Sequence, residues 1–78
     1  MNIAREGITL LKNDNDILPL KGVKKVLVTG PASDSLMWQS GAWVFHWQGA
    51  ESEGEFGGRG VTILGALQGT YGADNVTW

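Results

Sequence analysis

Residues 41–49 carry the side chains whose types and spacing most invite chemistry. Gly41-Ala42-Trp43-Val44-Phe45-His46-Trp47-Gln48-Gly49 sets two indoles four positions apart inside a glycine-bounded stretch. An indole has a large flat apolar face that favours burial and an N–H that needs a partner. Two of them in a Gly-rich segment suit a surface on which something flat stacks, and the C–H face of a sugar ring is such a partner. The competing explanation is packing, with Trp47 and Trp43 as anchors of a long loop. In an extended loop, alternate side chains align, so the pair would share one face as a platform.

The neighbouring polar residues add less. His46 is the only histidine and there are no cysteines, so a metal site is not expected, nor is a cofactor. A loop-bracing or solvent-facing role suits His46 better than a bond to a substrate hydroxyl. Glu51, Glu53 and Glu55 invite a general-acid role, which needs a raised pKa from burial or a like charge. Their run, Ala50-Glu51-Ser52-Glu53-Gly54-Glu55, is polar and flanked by glycine. It is expected to be solvated, and no catalytic residue is assigned. Asp34 follows a strand, at the sheet edge where α/β sites form, but a turn or cap role is preferred. Gly57-Gly58-Arg59-Gly60 precedes a helix and offers N–H groups to an anion; a flexible lead-in is the simpler role. Gly30 has no partner glycines at G-x-G-x-x-G spacing, and Pro31 removes an N–H that would face phosphate.

The elements that must position these residues follow from hydropathy. Asn2 to Glu6 reads as the last turns of a helix. Ile8-Thr9-Leu10-Leu11 is β-branched and apolar, which predicts a short strand. Lys12-Asn13-Asp14-Asn15-Asp16 is a polar turn, and Pro19 holds Leu18 extended. Val26-Leu27-Val28-Thr29 is the strongest strand, a continuous apolar run of the kind buried on both faces of a parallel sheet. Residues 31–60 form a connection of roughly 30 residues, far beyond the ordinary length and therefore functional or disordered. Trp38, beside Leu36 and Met37, is expected in the core. Residues 61–71 read as a helix, with Ile63, Leu64, Leu67 and Tyr71 at helical spacing, Thr62 near its start and Gly72 as its stop. Val76-Thr77-Trp78 opens a second strand. Strand, helix and strand make a βαβ unit, which implies parallel pairing and a right-handed crossover. The fold class is α/β, a fragment of a doubly wound, mostly parallel sheet. Residues 1–23 are a lead-in helix, linker and short strand; residues 24–78 are the β-loop-α-β unit.

Composition bounds the rest. The chain has 78 residues, 42% of them hydrophobic, and 12 glycines. That permits a small core and disfavours a helical bundle. A net charge of −2 argues against nucleic acid as a partner. No apolar run approaches the roughly 20 residues of a membrane span, so no membrane partner is expected. Asn75-Val76-Thr77 is a glycosylation sequon, a triplet too common by chance to weigh. Exposed apolar faces and an open sheet edge predict self-association.

Four ordered blocks resemble glycoside hydrolase family 3. Arg5 to Asn13 with Ile17-Leu18-Pro19-Leu20 is similar to the family's "R-x-x-x-x-L-L-K-N … L-P-L" approach to its second domain. Val26 to Asp34 resembles its first sheet strand and "V-x-G-x-x-A-D" turn. Gln39-Ser40-Gly41-Ala42-Trp43 and Trp47-Gln48-Gly49 resemble the "Q-x-G-G-W-x-x-x-W-Q-G" stretch of its β-glucosidases and β-glucan exohydrolases. Gly60 to Leu67 is similar to the "G-T-T-I-L-x-A" helix start. Ala42 stands where that pattern has a second glycine, and His46 where an acidic residue is common. The resemblance implies a barrel followed by an α/β sandwich, with this chain as the N-terminal segment of the sandwich. It implies retaining hydrolysis of terminal β-glucosidic bonds by two carboxyl groups about 5–5.5 Å apart. Neither carboxyl matches a position here: the nucleophile belongs to the barrel, the acid/base to a later loop. By motif position Trp47 is the indole that stacks on the sugar, and Trp43 supports the loop. The implied partners are a β-glucoside or β-glucan oligosaccharide and the barrel domain. The segment alone is expected to hydrolyse nothing. A stand-alone carbohydrate-binding module and, further off, a nucleotide-binding βαβ protein are the alternatives.

Overall fold

Val26-Leu27-Val28 behaves as its β-branched, apolar composition requires. In the computed structural model, which describes residues 2–78, β1 (Val26–Leu27) pairs in parallel with β2 (Val76–Thr77), Val26 opposite Val76 and Leu27 opposite Thr77. The ladder runs one residue further, because the Val28 N–H donates to the Thr77 carbonyl at 2.8 Å. Between the strands lie a 3-10 turn at Pro31–Asp34, helix α2 (Leu36–Ser40), a 3-10 turn at Glu53–Phe56 and helix α3 (Ile63–Tyr71). Before them stand helix α1 (Asn2–Gly7) and a polar turn at Asp14–Asp16. The result is α/β, with a two-stranded parallel sheet.

Helix α3 ends where its sequence says and begins at Ile63, two residues after the expected Val61, because Thr62 caps it. Thr62 Oγ1 accepts the Gly65 N–H at 3.0 Å, and Gly72 takes a positive φ of 86° as its N–H donates to the Gln68 carbonyl. Its inward stripe is Leu64, Leu67 and Tyr71, which pack with Val26 on the core of Val28, Leu64 and Val76. Burying each of these three core side chains contributes about 1.5–3 kcal/mol. Ile63 is half exposed. One residue from Leu64 on a 3.6-residue turn, it points off the stripe.

Four expectations are corrected. Residues 8–11 are irregular rather than a strand. Ile8, Leu10 and Leu11 are 79%, 62% and 91% exposed, and a strand without a partner has no ladder to hold it. The stretch 26–29 is not buried on both faces: Leu27 is 74% exposed while Val28 is 7%. Helix α3 covers one side of the sheet, and no described residue covers the other. Trp38 is not core; it is 64% exposed. The 31–60 connection is neither disordered nor one open loop, since α2 and the two 3-10 turns order it.

Asn13 organises the N-terminal turn by itself. Its side chain donates to the Leu18 carbonyl at 2.8 Å and accepts the Leu18 N–H at 3.0 Å, as a strand partner would. Asn15 and Asp16 supply the positive φ angles of 61° and 52° inside that turn, a conformation these short polar residues tolerate. Among the described residues, no helix is long and apolar enough to cross a membrane.

Candidate functional site

The tryptophan loop closes on itself between two glycines. Gly41 and Gly49 both take positive φ, 65° and 103°. Gly49 is buried, and a Cβ placed on it would sit 2.7 Å from the Gly41 carbonyl oxygen. Only a hydrogen fits at that crossing, so the bounding glycines are a geometric requirement. Inside the loop the Trp43 N–H donates to the Trp47 carbonyl at 3.2 Å, and the Gly49 N–H to the His46 carbonyl at 3.0 Å. Trp43 is forced to φ 60°, a region that disfavours bulky side chains and costs about 1–3 kcal/mol.

The indoles stand out from this frame. Trp43 is 80% exposed and Trp47 65%. Their ring centroids are 6.1 Å apart with planes at 86°, the favoured edge-to-face contact. The loop is a tight turn rather than an extended strand, and the two faces are perpendicular. Together they do not make one flat platform.

Two carboxylates of the acidic run make specific bonds, Glu53 to the start of α2 and Glu55 to the loop at His46. Glu53 reaches back to the start of α2: it accepts the Ser35 hydroxyl, the Leu36 N–H at 3.1 Å and the Met37 N–H at 3.3 Å. Ser35 in turn accepts the Trp38 N–H at 3.1 Å, an N-cap bond. Glu55 accepts the Glu51 N–H at 2.6 Å and the Ser52 N–H at 3.1 Å. Its other oxygen lies 3.0 Å from His46 Nε2. A carboxylate only accepts, so the imidazole carries its proton on that nitrogen. The Glu51 N–H above all holds the Glu55 carboxyl below its ordinary value; desolvation opposes it and is next in size, and the Ser52 N–H and His46 add smaller lowering effects. That is the reverse of what a general acid needs. Phe45 meets Phe56 edge-on at 5.1 Å.

The remaining candidates fall into structural roles. Asp34 accepts the Thr62 hydroxyl at 2.9 Å, tying the turn after β1 to the cap of α3. Arg59 sits in the link between the Glu53–Phe56 turn and α3, where its N–H donates to the Phe56 carbonyl. Buried Ser33 donates to the Gly30 carbonyl at 2.6 Å and accepts the Trp78 indole N–H at 2.7 Å. Gln39 of α2 donates to the Ala32 carbonyl at 2.7 Å. An open cleft of about 380 Å³ lies at the end of β1, lined by Val28, Thr29, Gly30, Pro31 and Trp78, and shares no residue with the tryptophan loop. No cluster of three His, Asp or Glu side chains that could hold a metal exists among the described residues. Sequence reasoning missed Glu53 and Glu55 as loop supports. The capping-box spacing Ser52-x-x-Glu55 was the signal available for one of them.

The fold and site thus define an α/β segment that presents aromatic side chains on a pinned loop. Residues 8–73 match the glycosyl hydrolase family 3 C-terminal domain, and the chain belongs to that family. It is 49% identical over 67 residues to a lysosomal beta glucosidase of Dictyostelium discoideum, covering 83% of this chain. It is 34% identical over 70 residues to a periplasmic beta-glucosidase of Salmonella typhimurium, covering 90% of this chain. The matched part is 8% of the length of each of these curated relatives. No solved structure matches the chain.

Proposed function

We propose that the chain is part of a glycoside hydrolase that removes terminal glucose from β-glucosides, and that its tryptophan loop forms one wall of the sugar pocket. Trp47 stacks on the sugar ring, and Trp43 buttresses it from the side. A barrel elsewhere in the parent supplies the opposing wall and the nucleophile, and the present sheet is the start of a doubly wound one. The observation that carries this reading is the pair of exposed indoles on a loop fixed by its own glycines and carboxylates. An indole that only anchored the loop would be packed inward, whereas Trp47 is 65% exposed. The backbone strain at Trp43 supports it too, because such strain gathers where a site is shaped for a ligand. Membership of the family and the names of the two relatives supply the reaction class. A rigid aromatic wall fixes the ring without demanding one linkage, which suits broad linkage tolerance. The perpendicular rings weaken the alternative of a stand-alone two-tryptophan platform.

The test is Trp47→Ala in the full-length protein, with hydrolysis of a nitrophenyl β-glucoside as readout. Loss of the stack is expected to raise KM about tenfold, and Trp47→Phe to recover part of it. An unchanged KM overturns the role of Trp47. The isolated 78-residue chain is expected to release no nitrophenol, and release by it would overturn the placement of the catalytic carboxyls elsewhere.

A further inference from the structure

Three contacts run from one short turn to the tryptophan loop and its lead-in helix. Glu53 caps α2, which ends at Ser40 immediately before the loop. Glu55 holds His46, the residue next to Trp47. Phe56 packs on Phe45. The turn itself is closed by a reciprocal capping box between Ser52 and Glu55 and ends on Gly57 in the left-handed conformation. A turn fixed at both its own ends, and touching the loop at spaced points, is a rigid support rather than a passive neighbour.

We infer that the Glu53–Phe56 turn is a brace that sets the orientation of Trp47, with His46, Glu55 and Phe56 as positioning residues for sugar binding. This rests on the proposed stacking role of Trp47. The chemistry fits the task. A carboxylate bonded to two backbone N–H groups is already oriented, so holding His46 costs little further side-chain entropy. The imidazole then fixes the backbone direction at position 46, and with it the indole that follows. The Phe45–Phe56 contact limits rotation of the same strand of loop on its other side. The brace acts on binding in the ground and transition states alike, so its removal shows in KM and not in kcat.

The test uses the full-length protein and a nitrophenyl β-glucoside, with His46→Leu, His46→Gln, Phe56→Ala and Trp47→Ala compared. His46 is half exposed, so its substitution leaves the core untouched, and a melting curve checks this. His46→Leu is expected to raise KM about three- to tenfold, the range for one lost hydrogen bond, with kcat unchanged. His46→Gln keeps an N–H donor toward Glu55 and is expected to restore most of the loss. Phe56→Ala raises KM in the same way. If Trp47→Ala raises KM while His46→Leu and Phe56→Ala leave it unchanged, the brace is overturned and the stacking role stands. If His46→Leu lowers kcat at constant KM, the brace is likewise overturned. If Trp47→Ala leaves KM unchanged, the stacking role itself falls and the brace with it.

Discussion

The βαβ unit and the tryptophan region are held together by different physics. Strands β1 and β2 and helix α3 meet through buried Val28, Leu64 and Val76, which are only 7%, 7% and 8% exposed. Residues 31–60 contribute no buried large apolar side chain; Trp38, Trp43 and Trp47 are all more than 60% exposed. That region is ordered by carboxylates, hydroxyls and an amide bonded to backbone groups. Apolar burial is non-directional and tolerates many sequences. Side-chain to backbone bonds are directional, and each depends on one residue. The first kind of construction makes a scaffold; the second leaves large aromatic faces free while fixing where they point.

The sharpest way to break this contrast is in the core. Leu64→Ala is expected to destabilise the protein by about 2–5 kcal/mol, read by denaturant unfolding. Trp38→Ala, in the other region, is expected to change stability by less than about 0.5 kcal/mol. Equal losses from the two substitutions would erase the distinction.

Gly49→Ala tests the loop's own closure. The added Cβ meets the Gly41 carbonyl at 2.7 Å, at a φ of 103°. A loss of about 1–3 kcal/mol is expected, with the amide signals of 41–49 displaced and those of α3 unmoved. Uniform displacement across the chain would mean that the loop and the scaffold are one cooperative unit.

Thr62 joins the two regions, capping α3 while its hydroxyl bonds Asp34. Thr62→Ala is expected to cost about 0.5–2 kcal/mol, with Thr62→Ser restoring it. Helix-terminus amides and those around Asp34 should move together, and movement of only one set would show the tether to be inert.

The smallest effect is expected from acid. Glu55 titrates below its ordinary value of 4.5 in the folded protein. Its contribution is therefore complete above that ordinary value and is lost as pH falls through the folded-state pKa. The indole N–H signals of Trp43 and Trp47 should hold steady down to about pH 5 and shift only below it. Indole signals that stay fixed through the acid range would show that Glu55 does not control the loop.

Sequence legibility divides along the same line. The parallel strands and α3 with its Thr62 cap and Gly72 stop were readable. They rest on apolar periodicity and on local caps within four residues. Trp38 was misplaced because hydrophobic character alone says nothing about which faces find a partner. Ile8 to Leu11 met the composition of a strand, but a strand exists only where another chain segment offers a ladder. Glu53 is exposed, as its polar run implied, but its bonds to α2 were hidden because the partners lie up to 18 residues away.

By itself, then, the sequence determined the family, the α/β order of elements and the glycine-bounded tryptophan loop, because these depend on residue type, local propensity and motif spacing. Only the tertiary structure decided that the rings of Trp43 and Trp47 are perpendicular, that Leu27 is exposed, and that Glu53 meets the start of α2 while Glu55 and Phe56 meet His46 and Phe45. Those are matters of which groups meet across distance, and meeting is fixed by the folded path of the backbone rather than by any residue's own preference.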